Sequence, residues 1–217
     1  MVEAKLDVRE EKKKEEKKEG KLQALAKQIR NKLTVLYGEP FVGKTTLAHL
    51  LSKYFEHTVI FKIDKNYRPE DFRHINSNIH YVNINSHKGL ISVLDDMLRN
   101  PPQNALIVVD SITGLDAFFM PSDPSKPSPR MENARARFVD AVMQRLSFIK
   151  YNGNTVIVIA HERLRNWETQ ERVPRFNVTA LRHADMCFRL VKENEHRRLV
   201  RTHLRDYYKA REEDFLS

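Results

Sequence analysis

Apolar runs alternate with segments of helical periodicity along most of the chain. The runs 105–109 and 155–159 are almost wholly apolar, which is typical of strands buried on both faces of a parallel sheet. Shorter runs predict three more strands, at 33–37, 58–63 and 79–84. Apolar residues three or four positions apart predict helices, which we place at 22–31, 44–55, 89–99 and 131–151.

This alternation predicts an α/β fold in which helices flank a mostly parallel central sheet. At the C-terminal end, 186–191 and 198–203 predict an antiparallel strand pair with a polar turn between them. Two polar stretches, the proline-rich 121–129 and 162–179, follow buried strands and are predicted to be loops. Ligands of open α/β sheets bind at the carboxyl ends of the strands, so we expect the functional site at the edge that carries these loops.

Composition and charge restrict the class of protein without naming an activity. The 217 residues are 41% hydrophobic, enough for one domain, which we expect at 21–217 after a Lys/Glu-rich tail at 1–20. The net charge of +9 lies in 21–217, because the tail holds seven basic and seven acidic residues. A basic domain is compatible with nucleic acid and equally with other partners.

Two further absences bear on where the protein works. No apolar run is long enough for a membrane span, and the first residues lack the apolar segment of a secretion signal. The single cysteine, Cys187, suits a reducing compartment. We therefore predict a cytoplasmic protein with no membrane partner.

Residues 38–45 have the sequence G-E-P-F-V-G-K-T, which satisfies the phosphate-loop pattern G-x-x-x-x-G-K-[ST] between a predicted strand and a predicted helix. The two glycines permit backbone conformations that turn successive N–H groups toward one anion, and the helix adds its positive end. Lys44 is expected to reach the β- and γ-phosphates, and the Thr45 hydroxyl to bind Mg²⁺. The predicted nucleotide-binding residues are Gly38, Glu39, Pro40, Phe41, Val42, Gly43, Lys44, Thr45 and Thr46.

A nucleotide site of this kind also needs a carboxylate that orients water bound to Mg²⁺, and this carboxylate is expected at the end of a buried strand. Asp110 follows the apolar run 105–109 and meets this requirement, which makes Thr45 and Asp110 the predicted metal-side residues. The guanine-reading sequence N-K-x-D is absent from the chain, which favours ATP as the nucleotide.

These residues resemble a known family. Residues 110–113, D-S-I-T, resemble the Walker B region of the RecA/RadA recombinase superfamily, and 63–70, I-D-K-N-Y-R-P-E, resemble a shortened I-D-T-E-G-x-F-R-P-E-R segment of RadA-type proteins. Residues 181–185 and 188–190 are similar to the late H-x-A-D…R-L strand of archaeal RadB-like paralogues. The resemblance covers about 33–205. It implies a RecA-like P-loop NTPase core that uses ATP and Mg²⁺, often with DNA bound through two loops.

The chain departs from that family where hydrolysis is concerned. Family members have a water-activating glutamate two residues after the aspartate that matches Asp64, and this chain has Asn66 there. An amide cannot act as a general base, so Asp64 is the nearest substitute and Glu162 the next. His161 matches the family glutamine that senses the γ-phosphate. With Lys44, Asp64 and His161 as catalytic candidates, we expect tight binding of ATP·Mg²⁺ and slow hydrolysis.

The polar stretch 162–180 is the candidate nucleic-acid surface. Arginines suit phosphates and aromatic rings suit unpaired bases, although three glutamates in the same stretch dilute its positive charge. The predicted DNA-binding residues are Arg163, Arg165, Trp167, Arg172 and Arg175.

The resemblance favours an accessory RecA-fold ATPase, a recombinase paralogue in DNA repair or homologous recombination. Its ATP-gated partner is then single-stranded or double-stranded DNA, the main recombinase or another repair protein. An alternative is a KaiC/RecA-like regulatory module that binds a protein and never DNA. A small nucleotide kinase shares the size and the phosphate loop, but such kinases usually begin with the phosphate-loop strand and use an arginine-rich lid.

Overall fold

The computed structural model describes Glu16 and residues 19–63, 68–119, 129–176, 178–194 and 196–202. The described helices are α1 (19–29), α2 (Lys44–Ser52), α3 (His87–Arg99) and α4 (Pro129–Tyr151). The strands are β1 (Leu33–Gly38), β2 (His57–Lys62), β3 (Ile79–Asn83), β4 (Ala105–Asp110), β5 (Thr155–Asn166), β6 (Glu171–Pro174), β7 (Met186–Glu193) and β8 (His196–Thr202). Short 3₁₀ segments occupy Pro69–Phe72, Ile112–Phe119 and Val178–His183.

Some of the sequence predictions fall on residues that are not described. Asp64 and Asn66 lie outside the described residues, and so do most of the tail at 1–20 and of the proline-rich stretch 121–129. The boundary between tail and domain therefore stays a prediction, as does the catalytic role of Asp64.

The strands form one sheet in the order β3-β2-β4-β5-β1-β7-β8, with β6 paired to β5 outside this order. The pairs β1–β5, β1–β7, β2–β3, β2–β4 and β4–β5 are parallel, whereas β7–β8 is antiparallel. The predicted α/β fold is confirmed in this form: a mostly parallel sheet flanked by helices, with an antiparallel pair at its C-terminal end.

The sheet separates two apolar clusters. Both faces of β1 and β4 are buried at all six positions, as their continuous apolar sequences predict. On one face, Leu33 and Val35 of β1 belong to a cluster that includes residues of α3 and α4. On the other face, Leu36 of β1 belongs to a cluster with α1 and α2. The described helices include none that is both long and apolar enough to cross a bilayer.

The polar stretch after residue 161 differs from its prediction as a loop. Strand β5 continues to Asn166, the chain turns at 167–170, and β6 returns antiparallel to β5. Ion pairs connect the two strands of this hairpin, for example where the Arg165 Nη1 lies 3.4 Å from the Glu171 Oε1. A search for apolar runs misses this part of β5 and all of β6, because polar and charged residues predominate in them.

Candidate nucleotide-binding site

The predicted phosphate loop connects the end of β1 to the start of α2. Gly43 has φ of 100°, in the left-handed region that favours glycine. A Cβ on Gly38 would collide with the backbone oxygen of Leu190 on β7. Gly38 is therefore required because β1 and β7 pack closely there, whereas Gly43 is required by its backbone conformation.

A cavity of about 520 Å³ opens beside this loop at the carboxyl edge of the sheet. Its volume lies in the usual range of small-molecule sites. The predicted residues that line it are Pro40, Phe41, Gly43, Lys44, Thr45, Thr46, Asp110 and His161. Arg68, Asp71, Phe72, Ser111 and Ile159 line it as well and were not among the predicted site residues. Residues from the phosphate loop, from β4 and from β5 thus meet at one cavity.

Lys44 directs its ammonium back into the loop. Its Nζ donates hydrogen bonds to the carbonyl oxygens of Gly38, at 2.9 Å, and Glu39, at 2.6 Å. Burial lowers the pKa of Lys44 to about 8, against the opposing effect of the negative charges of Asp110, Glu162 and Glu39. The ammonium is thus partly desolvated and held where the phosphate loop begins.

Thr45 and Asp110 form the predicted pair on the magnesium side. The Thr45 hydroxyl donates to the Asp110 Oδ2 at 2.8 Å, although 65 positions separate the two residues. Asp110 is the last residue of β4 and is buried. Hydroxyl and carboxylate oxygens are hard ligands, so the pair fits Mg²⁺ that shares its coordination with phosphate oxygens and water. In the part of the chain that is described, no cluster of three or more His, Cys, Asp or Glu residues could hold a metal without such help.

His161 lies between the phosphate loop and Asp110, because β5 lies between β1 and β4. The register places His161 opposite Gly38. Two hydroxyls connect its backbone to the end of β4: the Ser111 Oγ lies 2.9 Å from the Thr113 Oγ1, which accepts a hydrogen bond from the backbone N–H of His161 at 3.4 Å. His161 and Lys44 thus line the same cavity.

Glu162, the second substitute base predicted from the sequence, is held by two arginines. Its side chain is only 2% exposed. The Arg189 guanidinium donates to both of its oxygens, at 2.9 and 3.1 Å, and the Arg172 Nη1 lies 3.4 Å from its Oε1. A carboxylate that already accepts these bonds is poorly placed to take a proton from water. Arg189 belongs to the segment that resembles the RadB-like paralogues, but nothing near it in the sequence predicts its contact with Glu162.

The five predicted DNA-binding residues lie on or directly after the β5–β6 hairpin. Three of the four arginines have carboxylate partners within the chain: Arg165 with Glu171, Arg172 with Glu162, and Arg175 with Asp116 at 3.8 Å. Arg163 is exposed on β5, and Trp167 is 78% exposed at the turn. The hairpin therefore presents an aromatic ring and less uncompensated positive charge than the sequence suggests.

One arginine that the sequence did not single out supports the loop from the other side. The Arg197 Nε on β8 donates to the carbonyl oxygen of Val42 at 2.8 Å and lies 3.0 Å from where a Cβ on Gly43 would be. Val42 itself is buried in the core rather than exposed to the cavity. The C-terminal strand pair thus fixes the backbone of the phosphate loop.

No protein-family model matches the chain, and a search of curated proteins finds no match.

Proposed function

We propose that this chain binds ATP and Mg²⁺ at the phosphate loop and acts as a slowly hydrolysing switch. The observation that carries the proposal is the contact between the Thr45 hydroxyl and the Asp110 carboxylate, 2.8 Å apart, beside the Lys44 ammonium. The motif, the following helix and a carboxylate from a neighbouring strand converge on one cavity. Their convergence is what Mg²⁺-dependent binding of a nucleoside triphosphate requires.

Each residue has a definite task in this proposal. The backbone N–H groups of the loop and the start of α2 bind phosphate oxygens, and Lys44 donates to the β- and γ-phosphates. Thr45 supplies a hydroxyl ligand to the metal, and Asp110 orients water in the metal's coordination shell. Bound Mg²⁺ neutralises part of the phosphate charge. His161 contacts the terminal phosphate from β5.

Slow hydrolysis follows from the residues available to activate water. Asn66 occupies the position where the resemblance expects a glutamate, and Glu162 is bound to Arg189 and Arg172. Loss of general-base assistance typically costs a factor of about 10²–10⁴ in rate. An ATP state that persists suits a switch better than a motor.

The partner is inferred from the resemblance together with the sheet order. The strand β5 lies between the phosphate-loop strand and the Asp110 strand, and the polar hairpin that β5 forms with β6 begins directly after His161, which lines the cavity. This arrangement supports a RecA-like core whose hairpin responds to nucleotide. We propose an accessory protein of DNA repair or recombination that binds DNA or the main recombinase when ATP is bound.

The internal ion pairs of Arg165, Arg172 and Arg175 favour a second candidate, a regulatory module that binds a protein and no DNA. Arginines with carboxylate partners have less charge available for phosphates. This candidate keeps the same nucleotide site and differs only in what the hairpin contacts.

Binding of a dye-labelled single-stranded oligonucleotide, followed by fluorescence anisotropy at several salt concentrations, separates the two. With Mg²⁺ and a slowly hydrolysed ATP analogue we expect binding that Trp167→Ala weakens, since stacking on a base is worth about 1–3 kcal/mol. With ADP the binding should be weaker. The matched control is Phe148→Ala, which removes an exposed aromatic ring from α4. Absence of binding at low salt in every nucleotide state would reject the DNA-binding function in favour of the regulatory module.

A further inference from the structure

Arg172 lies between two carboxylates that belong to different parts of the site. Its Nη1 is 3.4 Å from the Oε1 of Glu162, on β5, and 3.7 Å from the Oε1 of Glu39. Glu39 is the second residue of the phosphate loop. An arginine on β6 therefore already contacts the loop that is proposed to hold the phosphates.

The Lys44 ammonium, which is proposed to bind the terminal phosphate, contacts the same loop residue as Arg172. Its Nζ is 2.6 Å from the carbonyl oxygen of Glu39, so Lys44 and Arg172 approach the same residue, one at its backbone and one at its side chain. A phosphate bound by Lys44 would bring further negative charge to this part of the loop and would compete with the Glu39 carboxylate for Arg172. The Glu39 side chain is 64% exposed and is free to turn toward solvent.

We infer that Arg172 exchanges the Glu39 carboxylate for the terminal phosphate of the nucleotide and so distinguishes ATP from ADP. The inference rests on the proposed binding of ATP at the phosphate loop. It assigns to Arg172 a role within the chain's own nucleotide site, in place of the contact with DNA that the sequence predicts.

The exchange leaves no buried charge without a partner. Glu162 keeps both hydrogen bonds from Arg189, at 2.9 and 3.1 Å, after Arg172 departs. Arginine suits this role because its planar group binds a carboxylate and a phosphate with the same geometry. The Arg172 side chain is about one-third exposed, which leaves it room to rotate.

The exchange also connects the nucleotide to the hairpin. Arg172 is the second residue of β6, and its carbonyl oxygen lies 3.5 Å from the hydroxyl of Tyr37 on β1. A contact between Arg172 and the terminal phosphate would change how β6 is held against β1 and β5. The hairpin that carries Trp167 then has different contacts in the ATP and ADP states.

The test compares the affinities of Mg²⁺–ATPγS and Mg²⁺–ADP by calorimetry for the parent chain and for Arg172→Met. We expect the variant to bind ATPγS about tenfold more weakly and ADP within about twofold of the parent, since only the triphosphate meets the arginine. Arg182→Met is the matched control. It removes an arginine that pairs with Asp140, at 2.7 Å, and should change neither affinity.

Two more variants keep the test decisive if Arg172→Met unfolds. Arg172→Lys retains the charge and should keep part of the preference for ATPγS, whereas Glu39→Gln removes the competing carboxylate and should increase that preference. An equal loss of ATPγS and ADP affinity in Arg172→Met, or no loss of either, overturns the inference while leaving the nucleotide site in place. Failure of the parent chain to bind either nucleotide overturns the proposed function itself.

Discussion

Lys44 holds a charge in a place where burial acts against it. Two backbone carbonyls of the phosphate loop accept its hydrogen bonds, and three carboxylates, on Asp110, Glu162 and Glu39, attract it from a greater distance. Burial is the larger effect, which is why the pKa of Lys44 falls to about 8. A triphosphate supplies the negative charge that this ammonium lacks, so nucleotide binding and protonation of Lys44 should be coupled.

The first prediction concerns the pH dependence of nucleotide affinity. Above the pKa of about 8, free Lys44 loses its proton, and binding must restore it. We expect the affinity for Mg²⁺–ATPγS to fall between pH 7 and pH 10, approaching about tenfold for each pH unit above 8. Lys44→Arg keeps its charge throughout this range and should show a nearly flat profile, measured by calorimetry in matched buffers.

The lowered pKa of Lys44 has the opposite effect on the stability of the nucleotide-free chain, which increases with pH where the nucleotide affinity decreases. In the unfolded chain the pKa of Lys44 is about 10.5, so the unfolded state binds the proton more tightly between pH 8 and 10.5. The contribution of Lys44 to the free energy of unfolding therefore rises with pH over that window, and Lys44→Met should abolish the rise. If the affinity of the parent chain for Mg²⁺–ATPγS does not change between pH 7 and pH 10, that result would contradict the lowered pKa of Lys44.

The sequence predicts some residues of the site and misses the contacts of others. The loop residues from Gly38 to Thr46 follow from local spacing, because the strand, the motif and the helix are contiguous in sequence. Asp110 follows from the apolar run that directly precedes it. The contacts of Glu162 with Arg172 and Arg189 do not, since they join residues 10 and 27 positions apart across a hairpin and a sheet. Arg197, which supports the loop from β8, carries no signal in the sequence for the same reason.

At the scale of elements, the β5–β6 hairpin is the part of the fold that the apolar pattern missed. Its turn is stabilised by the Asn166 side chain, whose Oδ1 accepts hydrogen bonds from the backbone N–H groups of Glu168 and Thr169. Apolar runs identify buried strands well, as β1 and β4 demonstrate. To predict a half-exposed hairpin that is connected by ion pairs, one must know which residues lie opposite each other, and the sequence alone does not supply this register.

The second prediction uses Trp167, the only tryptophan of the chain, as a reporter of this hairpin. Because Arg172 is inferred to leave Glu39 for the terminal phosphate, Mg²⁺–ATPγS should change the tryptophan emission. Mg²⁺–ADP should leave it nearly unchanged, and Arg172→Met should lose the response to ATPγS. Identical responses to the two nucleotides in the parent chain would show that the hairpin does not detect the terminal phosphate.

The third prediction concerns the start of α3. The Ser86 hydroxyl accepts a hydrogen bond from the Gly89 N–H at 3.0 Å and so caps the helix. Ser86→Ala should lower the free energy of unfolding by about 1 kcal/mol, measured by urea denaturation. Ser92→Ala is the control, because Ser92 is exposed within the same helix and its replacement should be neutral or slightly stabilising. Equal effects of the two substitutions would refute the capping role.

At the scale of the whole molecule, the sheet order brings the site together. The strands β1, β5 and β4 are neighbours; the register places Gly38, the last residue of β1, opposite His161 of β5, and Asp110, the last residue of β4, lines the same cavity as His161. The sequence predicts a mostly parallel sheet from the alternation of elements, but not that β5 lies between the other two. Strand order depends on long-range packing between helices and sheet, which local patterns do not encode.

The fourth prediction tests the integrity of this sheet through its single cysteine. Cys187 lies on β7 next to β1, is fully buried, and its burial raises the pKa of the thiol to about 12. Reaction with a thiol reagent at pH 7 should be at least about a hundredfold slower in the native chain than in guanidinium, since β7 must open first. Rapid stoichiometric labelling of the native chain would contradict the burial of Cys187 on β7, between β1 and β8.

The central claim is that Lys44, Thr45 and Asp110 form a site for ATP with Mg²⁺, and calorimetric titration with the slowly hydrolysed analogue ATPγS tests it most directly. The parent chain should bind one equivalent, more tightly with Mg²⁺ than with EDTA. Lys44→Ala should weaken binding by about a hundredfold while circular dichroism shows an unchanged fold. The control Lys27→Ala, at an exposed position of α1, should bind like the parent. Absence of binding by the parent, or equal affinities of the parent and Lys44→Ala, would contradict the account.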